Sequence, residues 1–504
     1  MFRSVFARSF KSGVLLNVYK RQYAFVRERR NPESIISTLT STKITTSEDW
    51  EVVKNKIFND FNTIKPSNID AVVLTNCINY KHYDLAENYL EYLKKSGVEY
   101  NLATIGKIFK LNFCTQNESK GKDSKRNTHE TLYAMYEQVK GKYGTLDSIT
   151  NEHVIMGLSV TDKWEICKDI LNEIKLTCVP NSIAYSCTVK AAFQNGQFDY
   201  AWNLLNEMLE KNRKPNNMCY IAYIDKCIED KSISLEKLFE FLGDNDLICD
   251  WELIQNLRKY FQETKFVKIT QKGLCTGCKK VIPRIDLSDE EFDVLKSKIF
   301  ERVIVGKDVF RNTSPSELQL FQKMMNKNIN YDVVIDGLNV AYSAGTKTSA
   351  FVNAHLLSSV VRYYIEQNKK VLVLGRTHME RWPKKYFDFI RANAEIFLTQ
   401  NISKDDPYLL YCALHAGSNA IIVSRDLMRS HVYLLKENHH KRLFTRWLTQ
   451  SQHQLVKVLD NGDVIIKKPL PYVETTQKVD GYWHLPYYTV ENQESVNWMC
   501  LKLK

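Results

Sequence analysis

The sequence predicts an α-solenoid in its N-terminal half, an α/β domain with a parallel sheet in its C-terminal half, and a small split zinc-binding module around that domain. Three observations predict this fold class. Apolar helical stripes recur between residues 66 and 250, as in stacked helical repeats. From residue 331 onward, short β-branched runs alternate with helical segments, which favours a parallel sheet. A Cys-x-x-Cys pair has a late histidine and a late cysteine as metal-ligand candidates.

Length and composition indicate a folded protein of several domains. The chain has 504 residues, 44% of them hydrophobic and 25% charged, which excludes a wholly disordered or a fibrous chain. Lys and Arg exceed Asp and Glu by 70 to 58, a net charge of +12. This excess suits a polyanionic partner, and it equally suits a matrix or ribosomal protein that binds nothing acidic directly. No stretch approaches the ~18 uninterrupted apolar residues of a membrane span, so we expect no membrane partner.

The first residues have the composition of a targeting segment. Residues 1–30 carry several Arg and Lys, have no acid before Glu28, and mix bulky apolar residues with small and hydroxyl ones. Such basic, acid-free amphipathic starts are typical of mitochondrial transit peptides. We expect residues 1–30 to be a transit peptide that delivers the protein to the mitochondrial matrix. An ordered basic N-terminal helix is the alternative.

Residues 31–255 are predicted to form the solenoid. Pro180-Asn181 recurs as Pro215-Asn216, and each unit carries apolar residues at i, i+3, i+4 and i+7, which share one helical face. The stripes are Ala86/Tyr89/Leu90/Leu93, Cys167/Ile170/Leu171/Ile174 and Ala201/Leu204/Leu205/Met208. Only stacked neighbours can bury such faces, so we expect roughly five helix-turn-helix units. The polar segment 115–130 is expected to be an exposed insertion.

Residues 311–464 are predicted to form the α/β domain, and four aspartates fall where its strands end. Asp336 ends the strand in YDVVIDGLN and Asp426 ends IIVSRD. Asp405 and Asp406 precede Pro407, so Asp406 is a predicted helix N-cap. Ligands of parallel sheets bind at the C-terminal strand ends. No glycine motif of a dinucleotide site or a P-loop occurs.

Carboxylates that converge on one edge repel each other unless cations lie between them. Mg²⁺ prefers oxygen ligands and bridges to substrate phosphate. One or two such ions activate a water and stabilise the leaving oxygen of a phosphodiester. The four aspartates therefore predict a Mg²⁺ (or Mn²⁺) site for phosphodiester cleavage. For each aspartate alone, a turn-forming or capping role is the alternative.

Cys275 and Cys278 have the spacing of a zinc knuckle, with Gly277 between them. A structural zinc needs two further ligands, and the C-terminal segment offers His484 and Cys500. Residues 256–310 and 465–504 would then form one split module, closed by zinc around the inserted α/β domain. A pair of free core cysteines is the alternative.

Taken in order, the transit-like start, the degenerate repeats, the Cys-x-x-Cys pair, VVIDGLN, SKDD, VSRD and the late His/Cys pair resemble protein-only ribonuclease P, in particular its animal mitochondrial members. The repeats are similar to pentatricopeptide repeats, and the α/β domain to NYN/PIN-like metallonucleases. The resemblance implies an endoribonuclease that removes the 5′ leader from mitochondrial precursor tRNAs and leaves a 5′-phosphate on the tRNA.

The resemblance also implies roles for particular residues. The catalytic metal ligands would be Asp336, Asp405, Asp406 and Asp426, and the zinc ligands Cys275, Cys278, His484 and Cys500. Asn339, in DGLN, and His431, in SRDLMRSH, match neighbouring motif positions and are predicted supporting residues.

The repeats carry little of the base-reading code of their family. The fifth residue of each repeat helps to read one base, and these residues are Val72, Gly106, Asn151, Ser186 and Ile221. Only Asn151 and Ser186 can hydrogen-bond a base edge, and they are the predicted RNA contacts here. We expect the solenoid to hold folded RNA mainly by shape and backbone contacts.

Basic residues near the aspartates are candidate contacts to the RNA backbone. They are Arg376, Arg381, Lys384, Lys385 and Arg425, and a solvated surface is the alternative for each. The poor repeat code argues against autonomous tRNA recognition. Animal members act with a tRNA methyltransferase and a short-chain dehydrogenase, which the resemblance implies as partners.

Two rival functions fit the same residues. A general single-strand metallo-RNase would use the same four aspartates. A non-catalytic RNA-binding scaffold would have an aspartate cluster with a purely structural role.

Overall fold

The computed structural model describes residues 32–41, 44, 46–118, 125–261, 264–305, 315–327, 329–345, 347–400, 406–491 and 495–503. The predicted transit peptide (1–30) and Asp405 lie outside these ranges. The chain divides into two compact units. One contains residues up to Leu238 with Trp251–Tyr260 and Val490–Ser495, and the other contains Phe239–Asp250, Phe261–Thr489 and the residues from Val496 onward.

The first unit consists mainly of helices. They are α1 (Pro32–Ser41), α2 (Ser47–Asp60), α3 (Ile69–Asn79), α4 (Tyr83–Lys95), α5 (Leu102–Glu118), α6 (Lys125–Tyr143), α7 (Ser148–Leu158), α8 (Ile166–Thr177), α9 (Ser182–Gln194), α10 (Phe198–Glu210), α11 (Asn217–Glu229), the start of α12 (Glu236–Asp244) and α13 (Trp251–Tyr260).

These helices stack as the predicted solenoid. The first helices of successive pairs contact one another in the order α3, α5, α7, α9, α11 and α13, and α4, α8 and α10 each pack on the first helix of their own pair. The stripe residues of α4, α8 and α10 are buried, apart from the half-buried Leu90. The expectation of a solenoid is confirmed, because the stripes are buried between stacked neighbours.

The repeating Pro-Asn junction has a local cause. Asn181 is the N-cap of α9, where its Oδ1 accepts a hydrogen bond from Ala184 N at 2.8 Å. Asn216 caps α11 in the same way, accepting from Met218 N at 3.1 Å. An N-cap side chain satisfies a backbone donor that the first helical turn leaves without a partner. The Pro-Asn pair therefore repeats in the sequence because it marks the start of a helix in each repeat.

The expected insertion at 115–130 is helical at both ends. Helix α5 continues to Glu118 and α6 begins at Lys125. Of the side chains described there, Thr115, Gln116 and His129 are half-buried and Glu130 is exposed. The Lys, Glu and Gln residues of the segment are good helix formers, which suits its helical ends. The prediction of an exposed insertion over the whole range stays a prediction, because residues 119–124 lie outside the described residues.

The second unit contains the α/β domain. Its elements are α14 (Asp289–Ile299), a π-helix (Phe300–Val305), α15 (Pro315–Met325), β3 (Val333–Asp336), α16 (Gly337–Ala341), a 3₁₀ helix (Tyr342–Ala344), α17 (Ala350–Ile365), β4 (Val371–Arg376), a second 3₁₀ helix (Thr377–Arg381), α18 (Lys384–Asn393), β5 (Glu395–Thr399), α19 (Asp406–Ala416), β6 (Ile421–Val423), α20 (Arg429–Leu434), α21 (Asn438–Ser451), β7 (Gln452–Val458) and β8 (Val464–Lys467).

The six strands form one sheet in the order β5-β4-β3-β6-β7-β8. All neighbouring pairs are parallel except β7 and β8, which are antiparallel. Val333 and Ile335 enter one core with α17 and α18, whereas Val334 enters the other with α14, α19 and α21. Burial on both faces explains the uninterrupted apolar strands. The predicted parallel sheet is confirmed, with an antiparallel last strand that the sequence did not predict.

Helix α14 packs into the α/β core through Phe292, Leu295 and Ile299. The predicted boundary at residue 310 assigns this helix to the split module. In the structure, the buried side of α14 instead packs against the sheet of the α/β domain.

A second sheet joins strands from both sides of the α/β domain. It contains β1 (Cys249–Asp250), β2 (Lys265–Val267), β9 (Gln477–Val479), β10 (Tyr482–Tyr488) and β11 (Asn497–Lys502). The order is β1-β10-β11-β2, with β9 beside β10. Ile282, Tyr472 and Trp498 form a buried cluster beside it, and β10 and β11 bury further apolar residues, among them Leu485 and Met499. Across the described part of the chain, no helix combines the length and apolar character needed to cross a membrane.

Candidate metal centres

The central strand β3 marks the point where the strand order reverses. The chain passes from β3 to β4 and β5 on one side, and then returns to β6 on the other side of β3. The connecting helices α17 and α19 cover opposite faces of the sheet. Such a switch point opens a crevice at the carboxyl ends of the two central strands. Residues that follow β3 and β6 therefore line the predicted site.

Asp336 lies at this crevice as the last residue of β3 and the N-cap of α16. Its Oδ1 accepts from Asn339 N at 3.0 Å, and its Oδ2 accepts from Ser424 Oγ at 3.0 Å. Gly337 follows because a Cβ there would lie 2.6 Å from Leu374 O. The half-buried carboxylate is thus fixed in direction by two donors.

Asp426 lies in the loop after β6 and is exposed. Its backbone N donates to Ser424 Oγ at 3.1 Å, and its Oδ1 accepts from Met428 N at 2.8 Å. Ser424, only 1% exposed, therefore contacts both Asp336 and Asp426. The structure thus brings two of the four predicted acids, Asp336 and Asp426, to adjacent strand ends. The buried hydroxyl of Ser424 bonds the carboxylate of Asp336 and the backbone N–H of Asp426.

Asp405 and Asp406 are described only in part. Asp405 lies outside the described residues, and Asp406 is the first residue of α19. Helix α19 follows β5 and contacts β3, so its start belongs to the carboxyl edge of the sheet. The helix begins one residue earlier than predicted, which makes Asp406 its first residue rather than its N-cap.

Asn339 and His431 occupy different environments. Asn339 Oδ1 accepts from Arg425 N at 2.8 Å, which ties α16 to the loop that carries Asp426. His431 is buried in α20, with its Nδ1 3.3 Å from Ser430 Oγ. Asn339 therefore links α16 to the loop of Asp426, and the supporting roles of Asn339 and His431 stay predictions.

Arg425 is engaged with the protein backbone. Its Nε donates to Leu455 O at 3.1 Å and its Nη1 to Ser343 O at 3.0 Å. A guanidinium held by these carbonyls is a structural clamp, and the RNA contact expected of the exposed Arg425 stays a prediction. Arg376 ends β4 at the same edge and is half-buried, whereas Arg381, Lys384 and Lys385 are exposed.

The two repeat positions expected to contact RNA are inside the solenoid. Asn151 is 2% exposed and donates to Leu146 O at 3.4 Å. Ser186 is 0% exposed, and its Oγ accepts from Asn216 N at 3.0 Å. Their burial argues against a direct RNA contact, because both polar groups serve the helix packing.

The four predicted zinc ligands come together in the second sheet. One ligand atom from each of them, Cys275, Cys278, His484 and Cys500, lies within 4.8 Å of the others. His484 and Cys500 are direct partners across β10 and β11, so they share one face of the sheet. Cys278 Sγ lies 3.2 Å from His484 Nε2.

The two early cysteines sit on a tight knuckle. Cys275 N donates to Lys280 O at 2.8 Å, and Lys279 has a positive φ of 62°. A Cβ at Gly277 would lie 2.6 Å from Val267 Cγ1, so glycine lets the knuckle approach β2 closely.

Electrostatics in this cluster suit a divalent cation. Burial raises the pKa of the Cys278 and Cys500 thiols and lowers the pKa of the His484 imidazole. Thiolates in such surroundings need a positive charge, and a metal deprotonates coordinating thiols. Three sulfurs and one imidazole form a donor set for four-coordinate structural zinc, so the residues fit the predicted metal.

Sequence reasoning missed Ser424 and Gln452. Gln452 Nε2 donates to Asp426 O at 2.6 Å. The only signal for Ser424 was its position in VSRD, two residues before Asp426. For Gln452 no local signal existed, since the bond joins residues on different elements.

Two family models match the chain. The model described as Protein-only RNase P matches residues 269–500, which span the zinc candidates and all four aspartates. The model of the PPR repeat family matches residues 180–229, which contain α9, α10 and α11.

Two curated relatives and a solved structure resemble the chain over most of its length. The mitochondrial ribonuclease P catalytic subunit of Mus musculus is 31% identical over 489 residues, covering 92% of this chain and 80% of that protein. Its Rattus norvegicus counterpart is 30% identical over 488 residues, covering 92% and 79%. The crystal structure of nuclear proteinaceous RNase P 2 from A. thaliana superposes on this chain with a TM-score of 0.63 at 15% identity, covering 87% of this chain and 100% of that one. At this level of identity the similarity is one of fold.

Proposed function

The chain belongs to the protein-only ribonuclease P family, and on that premise we propose that it is the catalytic subunit of a mitochondrial ribonuclease P. It is an endoribonuclease that removes the 5′ leader from mitochondrial precursor tRNAs and leaves a 5′-phosphate on the tRNA. The observation that carries this proposal is the placement of Asp336 and Asp426 at adjacent strand ends of the switch point, linked through Ser424.

The acids form a donor set for a hard divalent cation. Asp336, Asp405, Asp406 and Asp426 would hold Mg²⁺ or Mn²⁺ through carboxylate oxygens. Asn339 N donates to one Asp336 oxygen and Ser424 Oγ to the other, and a carboxylate offers about four lone-pair sites in all. When bound, the cation supplies the positive charge that activates a water and stabilises the departing 3′-oxygen.

The protein itself orients these carboxylates before substrate arrives. Asn339 N and Ser424 Oγ fix the Asp336 carboxylate, and Met428 N fixes one oxygen of Asp426. Fixed acceptors at the edge where the phosphate binds lower the cost of assembling the site. Arg376, at the end of β4, and the exposed Arg381, Lys384 and Lys385 are proposed contacts to the RNA backbone.

We assign Cys275, Cys278, His484 and Cys500 to a structural Zn²⁺. The short distances among their ligand atoms support this. The placement of the ligands on segments from both sides of the α/β domain supports it too, because metal binding then contributes directly to folding.

The substrate is proposed to bind along the solenoid. Buried Asn151 and Ser186 leave no base-reading side chain at those positions. Recognition of a folded tRNA body by shape and phosphate contacts fits this better than base-by-base reading of a single strand.

The proposed location of the protein and its proposed partners rest on its membership of this family. The mouse and rat relatives are named as mitochondrial proteins, and we place this protein in the mitochondrial matrix after removal of residues 1–30. A tRNA methyltransferase and a short-chain dehydrogenase are its proposed partners, since the repeats alone offer little sequence reading.

The test is cleavage of a precursor tRNA by purified protein in Mg²⁺, with and without mitochondrial extract. We expect one cut at the leader junction with a 5′-phosphate on the tRNA, and loss of the cut when Asp405→Asn and Asp406→Asn are combined. Absence of the cut under both conditions would overturn the proposal. Equal cleavage of an unstructured RNA would favour a general RNase, and an unaffected double variant would favour a scaffold.

A further inference from the structure

The loop that carries Asp426 has no regular secondary structure of its own. Residues 424–428 run from the end of β6 to α20 without helix or strand. Met428 closes the loop with a φ of 49°, in the left-handed region that is costly for a bulky side chain. Such a conformation persists only where surrounding contacts hold it.

Side chains hold both backbone polar groups of Asp426. Its N–H donates to Ser424 Oγ at 3.1 Å, and its C=O accepts from Gln452 Nε2 at 2.6 Å. Gln452 is the first residue of β7, 7% exposed, and lies 26 positions further along the chain. Gln452 thus holds the backbone of the Asp426 loop from a separate strand, β7.

We propose that Gln452 is a positioning residue for catalysis, which sets the Asp426 carboxylate for its metal by holding the Asp426 carbonyl. The proposal rests on the proposed function, in which Asp426 is a metal ligand. Gln452 acts through the backbone of Asp426.

The geometry explains how this contact reaches the carboxylate. Fixing the Asp426 C=O fixes the peptide plane that leads toward Met428. Met428 N then reaches Asp426 Oδ1 at 2.8 Å, which sets the rotation of the carboxylate and directs its other oxygen. Hydrogen-bond partners behind metal ligands commonly change metal affinity 10- to 100-fold when they are removed.

The chain provides a matched control two residues away. Gln450 Nε2 donates to Ile285 O, also at 2.6 Å, and Gln450 is 8% exposed. The two glutamines share residue type, burial, bond length and the backbone carbonyl as acceptor. They differ in their target, since Ile285 precedes α14 and carries no candidate metal ligand.

The experiment compares Gln452→Glu with Gln450→Glu in the full-length protein. Each change is nearly isosteric and replaces an amide donor with a carboxylate, which cannot donate in its ionised form. Mn²⁺ binding without RNA is measured by electron paramagnetic resonance of free Mn²⁺, beside the Mg²⁺ half-saturation of leader cleavage and the urea midpoint of unfolding. Gln452→Met and Gln450→Met repeat the comparison without a buried charge, in case the glutamates prevent folding.

We expect the Gln452 variants to weaken Mn²⁺ binding about 10-fold and to raise the Mg²⁺ half-saturation by a similar factor. The Gln450 variants should keep the Mn²⁺ affinity and the Mg²⁺ half-saturation within about twofold of wild type. Their urea midpoint should fall by about as much as that of the Gln452 variants, since each loses one buried hydrogen bond. Equal metal affinities in the two series would overturn the proposal.

Asp426→Asn separates this outcome from failure of the proposed function. If Asp426→Asn leaves Mn²⁺ binding and cleavage unchanged, the assignment of the metal site fails. If Asp426→Asn weakens both while the Gln452 variants do not, only the role of Gln452 fails.

Discussion

The two candidate metal centres are built in opposite ways. The zinc candidates Cys275, His484 and Cys500 are buried, and cross-strand pairing sets His484 opposite Cys500. At the other centre, Asp336 is half-buried and Asp426 is exposed at an open strand edge. A closed set of four protein ligands suits a structural ion, and an open set leaves room for water and substrate. Four protein ligands can therefore complete the proposed zinc centre, whereas the proposed Mg²⁺ centre keeps positions for water and substrate.

The largest effect that this comparison predicts is on activity. Asp336→Asn keeps the shape of the side chain and one oxygen that can accept from Asn339 N, turns an amide nitrogen toward Ser424 Oγ, and removes the charge. We expect leader cleavage to fall ~10³-fold or more, since the loss of metal-based stabilisation is worth several kcal/mol. The thermal midpoint should stay equal or rise, because repulsion between acids is relieved. Single-turnover cleavage and a thermal melt measure the two effects.

The control for this variant lies at the other end of the same strand segment. Asp332 Oδ2 accepts from Lys370 N at 2.8 Å, just before β3. Asp332→Asn should leave the cleavage rate within a fewfold. If both variants cleave equally well, the assignment of the open centre to catalysis is wrong.

At the closed centre, formed by Cys275, Cys278, His484 and Cys500, we expect a substitution to lower stability rather than to act on the cleavage step directly. Cys278→Ser should lose about one bound zinc per chain and destabilise the second unit by several kcal/mol. Zinc analysis and urea unfolding measure both quantities. Cys178→Ser, at an exposed cysteine of the solenoid, should change neither. A native protein that contains no zinc would remove the assignment.

A smaller effect tests the knuckle beside the zinc candidates. A Cβ at Gly277 would lie 2.6 Å from Val267 Cγ1, so Gly277→Ala should cost roughly 1–3 kcal/mol by overpacking. Val267→Ala in the same chain should restore part of this loss, which a double-mutant cycle measures. Additive losses would show that the two residues do not meet. Gly141→Ala, where no atom lies within 4 Å of the added Cβ, serves as the control.

The smallest effect concerns acid stability near the open centre. Burial, with a contribution from Lys468, lowers the pKa of the His453 imidazole to about 4. The unfolded state takes up this proton near pH 6.5, so stability present above that pH is lost as the pH falls from about 6.5 to about 4. His453 Nδ1 also lies 2.9 Å from Tyr364 Oη.

The measurement is urea unfolding of wild type and His453→Gln at pH 7 and pH 5. Wild type should lose roughly 1 kcal/mol more than the variant on acidification, after discounting for partial solvent exposure. Acid weakens metal binding at both centres in both proteins, and the difference between the proteins removes that shared effect. An identical pH dependence would show that His453 does not titrate in this window.

The sequence predicted the closed centre more fully than the open one. Zinc ligands are recognisable from residue type and spacing, and all four predicted residues meet within 4.8 Å. The aspartates were recognisable from their positions after strands, but their supports were not. Gln452 and the Arg425 clamp act across 26 and 30 positions of the chain, and single-sequence patterns carry no information about such pairs.

A similar limit applied to the fold. The solenoid stripes and the parallel strands follow from periodicity, because burial on one or both faces imposes it. The second sheet was not predicted, since β1 and β2 are two and three residues long and are stabilised by pairing with distant strands. The bonds of Arg425 to Leu455 O and Ser343 O were not predicted either, because charge alone does not distinguish a solvated guanidinium from one bound to carbonyls.

The split sheet also has a consequence for how the protein is made. Cys278 and His484 are 206 positions apart in the chain, and the α/β domain lies between them. On the proposed route into the matrix the N-terminus enters first, so the two early cysteines arrive before their late partners and remain free thiols until the C-terminus follows. The last strands therefore close the sheet only after the whole inserted domain has entered.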